Sequence, residues 1–282
     1  MTRTYRIIAI PIDDKSGQPG TPRPLFGGSQ EIATFDVSPD QHSIAFTSGG
    51  QEDLYIVKAD GTRLRQMTND SALDRGVAWS ADGRSIYTYS DREGGSYNIW
   101  SIRADGGGLT RVTTDADRRR IHAQYLFGPN ASPDGRTLLA GTDVGTALIH
   151  LDRPLTQRLE LTGATLTVAK WSPDGTRIVG GFKDRPGFGI YSLQTRRLEP
   201  VLTHGIYPQW LPDGKRILFF EKDDLGIVDL SSGGVTTNAV TIPGAAWEDR
   251  AVPRRLSRDG STLYVRQMLE QGDIWIAQFE KQ

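Results

Sequence analysis

Val77-Ala78-Trp79-Ser80-Ala81-Asp82-Gly83 is the stretch that decides the fold, because its last four residues recur along the chain. The other copies are Ser38-Pro39-Asp40-Gln41, Ser132-Pro133-Asp134-Gly135, Ser172-Pro173-Asp174-Gly175, Leu211-Pro212-Asp213-Gly214 and Ser257-Arg258-Asp259-Gly260. The aspartates stand 42, 52, 40, 39 and 46 residues apart, the period of a four-stranded propeller blade. Each residue type has a local reason. Proline presets φ at the second position of a type I turn, and aspartate bonds nearby backbone. Glycine takes the left-handed position that closes the hairpin.

Strand patterns surround each turn. An aromatic residue often precedes it (Trp79, Trp171, Trp210), and a β-branched or apolar run follows, such as Ile44-Ala45-Phe46 or Ile217-Leu218-Phe219. A third strand comes next, as in Asn98-Ile99-Trp100-Ser101-Ile102. A fourth ends in pairs such as Met67-Thr68 and Val112-Thr113. No 3.6-residue period outlasts one turn, so no substantial helix is expected. The reading is an all-β, six-bladed β-propeller of four-stranded antiparallel blades. Blades are expected near 31–69, 74–114, 122–162, 165–203, 206–242 and 246–279, in one domain over 1–282. The third has a long lead-in from Thr114 to Ala131.

An open blade edge would expose unpaired backbone, so the ring should be closed by the N-terminal segment, as a hairpin within 1–30, pairing with the last blade. Arg23-Pro24-Leu25-Phe26 suits the outer strand. Tyr5 to Pro11 also reads as a strand, so 25 candidates compete for 24 places. Either 5–11 forms an extra edge strand or it contests one place with 273–279.

Composition excludes several functions. The net charge of −1 gives no field to hold nucleic acid. With no cysteine there is no disulfide, thiolate metal site or cysteine nucleophile. No apolar run approaches the ~18 residues needed to span a membrane, and no signal-peptide core is seen. As written, the chain is expected to stay in the cytoplasm as a monomer; a domain stripped of a leader and exported to the periplasm would read the same.

The pattern of aromatic-Ser-Pro-Asp-Gly, apolar strand, Asn98-Ile99-Trp100 and Ala104-Asp105-Gly106-Gly107 resembles the WD40-like repeat of TolB-type propellers. The resemblance runs over essentially the whole chain. It implies a bacterial propeller that binds partner segments at the mouth of its channel. TolB's own N-terminal α/β domain has no counterpart here.

No G-x-S-x-G elbow, phosphate loop, G-x-G-x-x-G or H-E-x-x-H occurs, so no catalytic residue, metal or cofactor is assigned. The turn aspartates are read as structural. Loops leading into the inner strands depart from the repeat. They carry Arg118, Arg119, Arg120 and His122; His204 and Tyr207; and Trp247, Arg250 and Arg254. Arginine and aromatic side chains suit a carboxylate or an acidic peptide. The expected function is a non-catalytic protein-interaction or ligand-sensing module, binding a peptide or small anion. The alternatives are a metal-dependent enzyme on an anionic carbohydrate, by similarity to oligogalacturonate lyases, and the regulatory propeller of a peptidase.

Overall fold

The computed structural model describes residues 2–13, 16–221, 224–239 and 254–271. These form six four-stranded antiparallel sheets. Blade 1 is Ile32–Val37, Ser43–Ser48, Leu54–Lys58 and Arg65–Gln66, from inner to outer strand. Blade 2 is Asp74–Trp79, Ser85–Ser90, Asn98–Arg103 and Thr110–Arg111. Blade 3 is Leu126–Ala131, Thr137–Thr142, Thr146–His150 and Leu159–Leu161. Blade 4 is Leu166–Trp171, Arg177–Phe182, Phe188–Ser192 and Leu198–Leu202. Blade 5 is Ile206–Trp210, Arg216–Glu221, Asp224–Asp229 and Val235–Ala239.

Blade 6 shows how the ring closes. Arg254–Leu256 and Thr262–Gln271 are followed in the sheet by Thr2–Pro11 and then Arg23–Gly28. The N-terminal hairpin thus supplies two strands rather than one. Thr2 pairs with Gln271 and Pro11 with Thr262, so the segment around 5–11 holds the third place, inside Arg23–Gly28. The competing candidate 273–279 lies outside the described residues.

The turns explain the repeat. In five copies the serine hydroxyl donates to its aspartate, at 2.5 Å for Ser172 to Asp174 and 2.6 Å for Ser80 to Asp82. The same carboxylate oxygen accepts the backbone N–H two residues on. The serine oxygen accepts the N–H that opens the next strand. The hydroxyl, helped by the backbone N–H, holds the carboxyls of Asp40, Asp82, Asp134 and Asp174 below their ordinary range. Gly83, Gly135 and Gly175 sit at φ 70–71°, which explains the glycine.

The core is divided among the blade interfaces. Six apolar clusters occur, each shared by two adjacent blades. Strand alternation does this in the N-terminal strand: Ile8 and Ile10 pack toward blade 5, Ile7 and Ala9 toward blade 1. A short α-helix, Asp115–Arg120, interrupts the all-β pattern in the long lead-in to blade 3, and a 3-10 turn, Leu155–Gln157, lies within that blade. Thr114 caps the α-helix, its hydroxyl accepting from the Asp117 N–H while Asp117 accepts from the Thr114 N–H. The segment expected as a loop is therefore a single capped turn of helix, acidic first and basic last.

Candidate ligand site in the central channel

In a propeller the inner strands present a sheet edge to the central channel. Here the Ser-Pro-Asp-Gly turns lie at the ends of those strands and the lead-in loops at their starts, so the two groups occupy opposite faces. The inner strands of blades 1 to 5 each carry a register shift. In blades 2 to 5 a residue four before the turn takes positive φ: Gly76 59°, Gly128 58°, Val168 51° and Tyr207 52°. A bulge of this kind re-aims the residues that follow it. Glycine bears that backbone easily, whereas β-branched Val168 is strained there.

Two residues before each turn stands one member of a ring: Asp36, Ala78, Asn130, Lys170, Gln209 and Arg255. All but Ala78, which packs between blades 2 and 3, line a cavity of about 280 Å³ at the turn face. Asp36 and Arg255 pair across the seam of blades 1 and 6 at 3.2 Å. The second Asp36 oxygen accepts the Trp79 N–H at 2.8 Å. Gln209 Oε1 accepts the Leu256 N–H at 2.8 Å, the same device across the seam of blades 5 and 6. That bond assigns the amide: its Nε2 end is left facing elsewhere, buried and without a partner. The indole Nε1 of Trp210 is likewise buried and unpartnered. Its counterparts in Trp79 and Trp171 donate to the carbonyls of Asp36 and Asn130.

Lys170 has no ion-pair partner among the described residues. It is half-buried in the channel wall. Burial brings its ammonium down to about 7, helped by repulsion from Arg255 and opposed by attraction to Asp36. The wall formed by blades 4, 5 and 6 thus presents the cations Lys170 and Arg255, with Asp36 the counterweight.

The residues singled out on the loop face fare differently. Arg118 is 5% exposed and spends its guanidinium on Asn98, Asp115 and the Gln124 carbonyl. Arg120 donates to the Leu159 carbonyl at 3.0 Å. Arg119 and His122 are exposed, His122 at φ 59°. His204 contacts Glu221 at 3.0 Å. Tyr207 and Arg254 come together, with the 2%-exposed guanidinium 5.0 Å from the Tyr207 ring and 4.7 Å from Phe220. Trp247 and Arg250 lie outside the described residues. Among the described residues no three His, Asp or Glu side chains are grouped to hold a metal. The channel ring was missed because each member looks like an ordinary strand residue; its signal is one repeat position that is polar in five blades of six.

The strands define a six-bladed propeller with a polar ring of side chains around its channel. A family model described as the TolB beta propeller domain matches residues 27–146. A solved TolB candidate from Agrobacterium tumefaciens superposes with TM-score 0.71 at 17% identity, covering 96% of this chain and 100% of that one. TolB from Acinetobacter baumannii gives TM-score 0.59 at 16% identity, covering 95% of this chain and 64% of that one. The Tol-Pal system protein TolB of Francisella tularensis is 28% identical over 61% of this chain and 41% of its own length. Dipeptidyl-peptidase 5 of Porphyromonas gingivalis is 24% identical over 77% of this chain and 42% of its own. The chain spans about half the length of the curated relatives it matches, from 41 to 57%. It is a six-bladed β-propeller that resembles the TolB propeller domain.

Proposed function

We propose that the chain is a monomeric, non-catalytic binding propeller that takes a peptide or small anionic ligand into its central channel. One observation carries this: Lys170, with no ion-pair partner among the described residues, lines the channel cavity beside Arg255. A half-buried ammonium without a counter-ion is costly, and an anionic ligand removes that cost. The Francisella relative is by name a component of a protein system, which supports a protein partner. The test compares wild type with Lys170→Met and Arg119→Ala as bait, with mass spectrometry of what each retains. Loss of a partner with Lys170→Met alone supports the channel. If all three baits retain the same proteins and calorimetry detects no anion, the reading falls.

The match to dipeptidyl-peptidase 5 favours a second reading, the regulatory propeller of a peptidase. Hydrolysis of dipeptide substrates by the source protein would support it.

A further inference from the structure

Lys170 stands apart from the other members of the channel ring. It lines both the cavity of about 280 Å³ at the turn face and a second of about 210 Å³ toward the loop face. Its Nζ makes no hydrogen bond among the described residues, yet it is not sealed off as the Gln209 and Trp210 nitrogens are, so the amine faces the channel. The charged residues beside it in the first cavity are Asp36, Arg255 and Arg258. Asp36 is taken by Arg255, and Arg258 donates to the Ala81 carbonyl at 2.9 Å. In the second cavity Arg255 is the one other charge, and the walls include Phe127, Pro129, Leu166 and Val168. A lysine held in protein beside another cation, with no counter-ion of its own, is kept neutral and nucleophilic near neutral pH. Its titration at about 7 agrees with that geometry.

We propose that Lys170 is a site of reversible N-carboxylation, its neutral amine adding to carbon dioxide to form a carbamate inside the channel. The Nζ lone pair forms a bond to the carbon, one C=O pair moves onto oxygen as the carboxylate charge, and an N–H proton leaves to water. Nothing is oxidised or reduced. Two observations select carbon dioxide over other amine-reactive carbonyl compounds. The first is the charge beside the product. An imine formed from an aldehyde protonates to a second cation next to Arg255, whereas a carbamate is an anion that the guanidinium attracts, and the opposing Asp36 is already paired. The second is the apolar wall of the inner cavity, which a small uncharged molecule passes without the desolvation cost that an anionic electrophile meets. The inference goes beyond the binding function proposed above and does not depend on it. The two are linked, because carboxylation replaces the channel's uncompensated cation with an anion and so opposes anion binding.

The test uses the full chain in isotopically labelled carbon dioxide and bicarbonate near neutral pH. The carbamate is read by carbon NMR, and by trapping as its ethyl ester with triethyloxonium before peptide mass spectrometry. The label should sit on Lys170 at about tenfold or more the occupancy of any surface lysine, because an ordinary lysine is then amine in only about one molecule in a thousand. Lys170→Arg, which keeps the charge, should lose it. Asp36→Asn keeps an oxygen for the Trp79 N–H but removes the cavity's one carboxylate, so it should raise the occupancy of Lys170. At constant dissolved carbon dioxide the occupancy should fall below about pH 7, where anion binding to the ammonium strengthens, so the two readings fail separately. Tyr89, the remaining titratable group facing these cavities, has its phenol pushed up by burial and stays neutral over that range. Absence of label from Lys170, or equal labelling of Lys170 and surface lysines, overturns the inference. So does trapping of propanal on Lys170 by cyanoborohydride while carbon dioxide leaves it unlabelled, or a label that does not respond to Asp36→Asn.

Discussion

The seam between blades 3 and 4 joins neighbours in sequence, whereas the seam between blades 6 and 1 joins the two ends of the described chain. At the first, Leu139, Leu148, Leu166 and Ile178 form an apolar cluster, and Tyr191 donates to the Thr162 carbonyl at 2.5 Å across it. At the second an apolar cluster is also present, with Ile7, Phe35 and Phe46, and polar ties reach across it over far longer sequence separations. Arg255 meets Asp36, and Arg266 donates to the Ile32 carbonyl at 2.8 Å. Gln41 stands where the repeat has glycine, at φ 60°. Its amide donates to Asp259 at 3.0 Å and its carbonyl accepts from Tyr264 at 2.9 Å. Apolar contact is indifferent to sliding, whereas these bonds hold one register. Blade 6 joins chain ends more than 250 residues apart, Thr2 pairing with Gln271, so register there has no short connection to set it.

Three experiments sharpen this contrast. The largest effect is expected from cutting into the two clusters. Ile7→Ala and Ile178→Ala, both fully buried residues, should each cost about 2–4 kcal/mol in denaturant unfolding. Only Ile7→Ala should also expose Thr2–Pro11 to protease under native conditions. Equal protease sensitivity in both would show that closure is no weaker than any other seam.

Next comes Lys170, beside the closing pair. Its ammonium titrates at about 7 in the folded chain against an ordinary 10.5. Between those values the unfolded chain binds more protons, so this group's contribution to stability rises with pH, and below the lower one the burial cost is fully present. Lys170→Met should therefore stabilise the chain by about 1–3 kcal/mol near pH 6, with the gain fading toward pH 10. Asp36, Arg255 and Arg258 face the same channel. For the same reason binding of an anion beside Lys170 should weaken as pH rises above about 7. A flat stability difference from pH 6 to 10 would remove the lowered titration from the account.

The smallest effect belongs to Gln41→Gly. Glycine relieves the positive φ, worth about 0.5–1 kcal/mol, but loses two hydrogen bonds of similar combined value. Thermal unfolding should move by less than about 1 kcal/mol in either direction. A loss of several kcal/mol would mean that the polar ties, and not the apolar cluster, hold the ring closed.

The repeat was legible because its causes are local. Ser172, Asp174 and Gly175 satisfy one another within a few residues, so turn, strand order and blade number can be read without the rest of the chain. The helix at Asp115–Arg120 was missed because one turn leaves too short a period, although the Thr114 and Asp117 capping pair was its signal. Arg118 reads as a binding residue in a string of arginines, and only folding shows it 5% exposed with its bonds spent inward.

What the sequence determined by itself is the propeller: six turns, their strands, and a need for the N-terminus to close the ring. What only the tertiary structure decided is the order β-strand by β-strand at that closure, with Thr2–Pro11 inside Arg23–Gly28, and the meeting of Asp36, Lys170, Gln209 and Arg255 around one channel. The reason is distance along the chain. Turn chemistry acts over four or five residues, whereas strand pairing and the electrostatics of the channel depend on groups that become neighbours only when the ring closes.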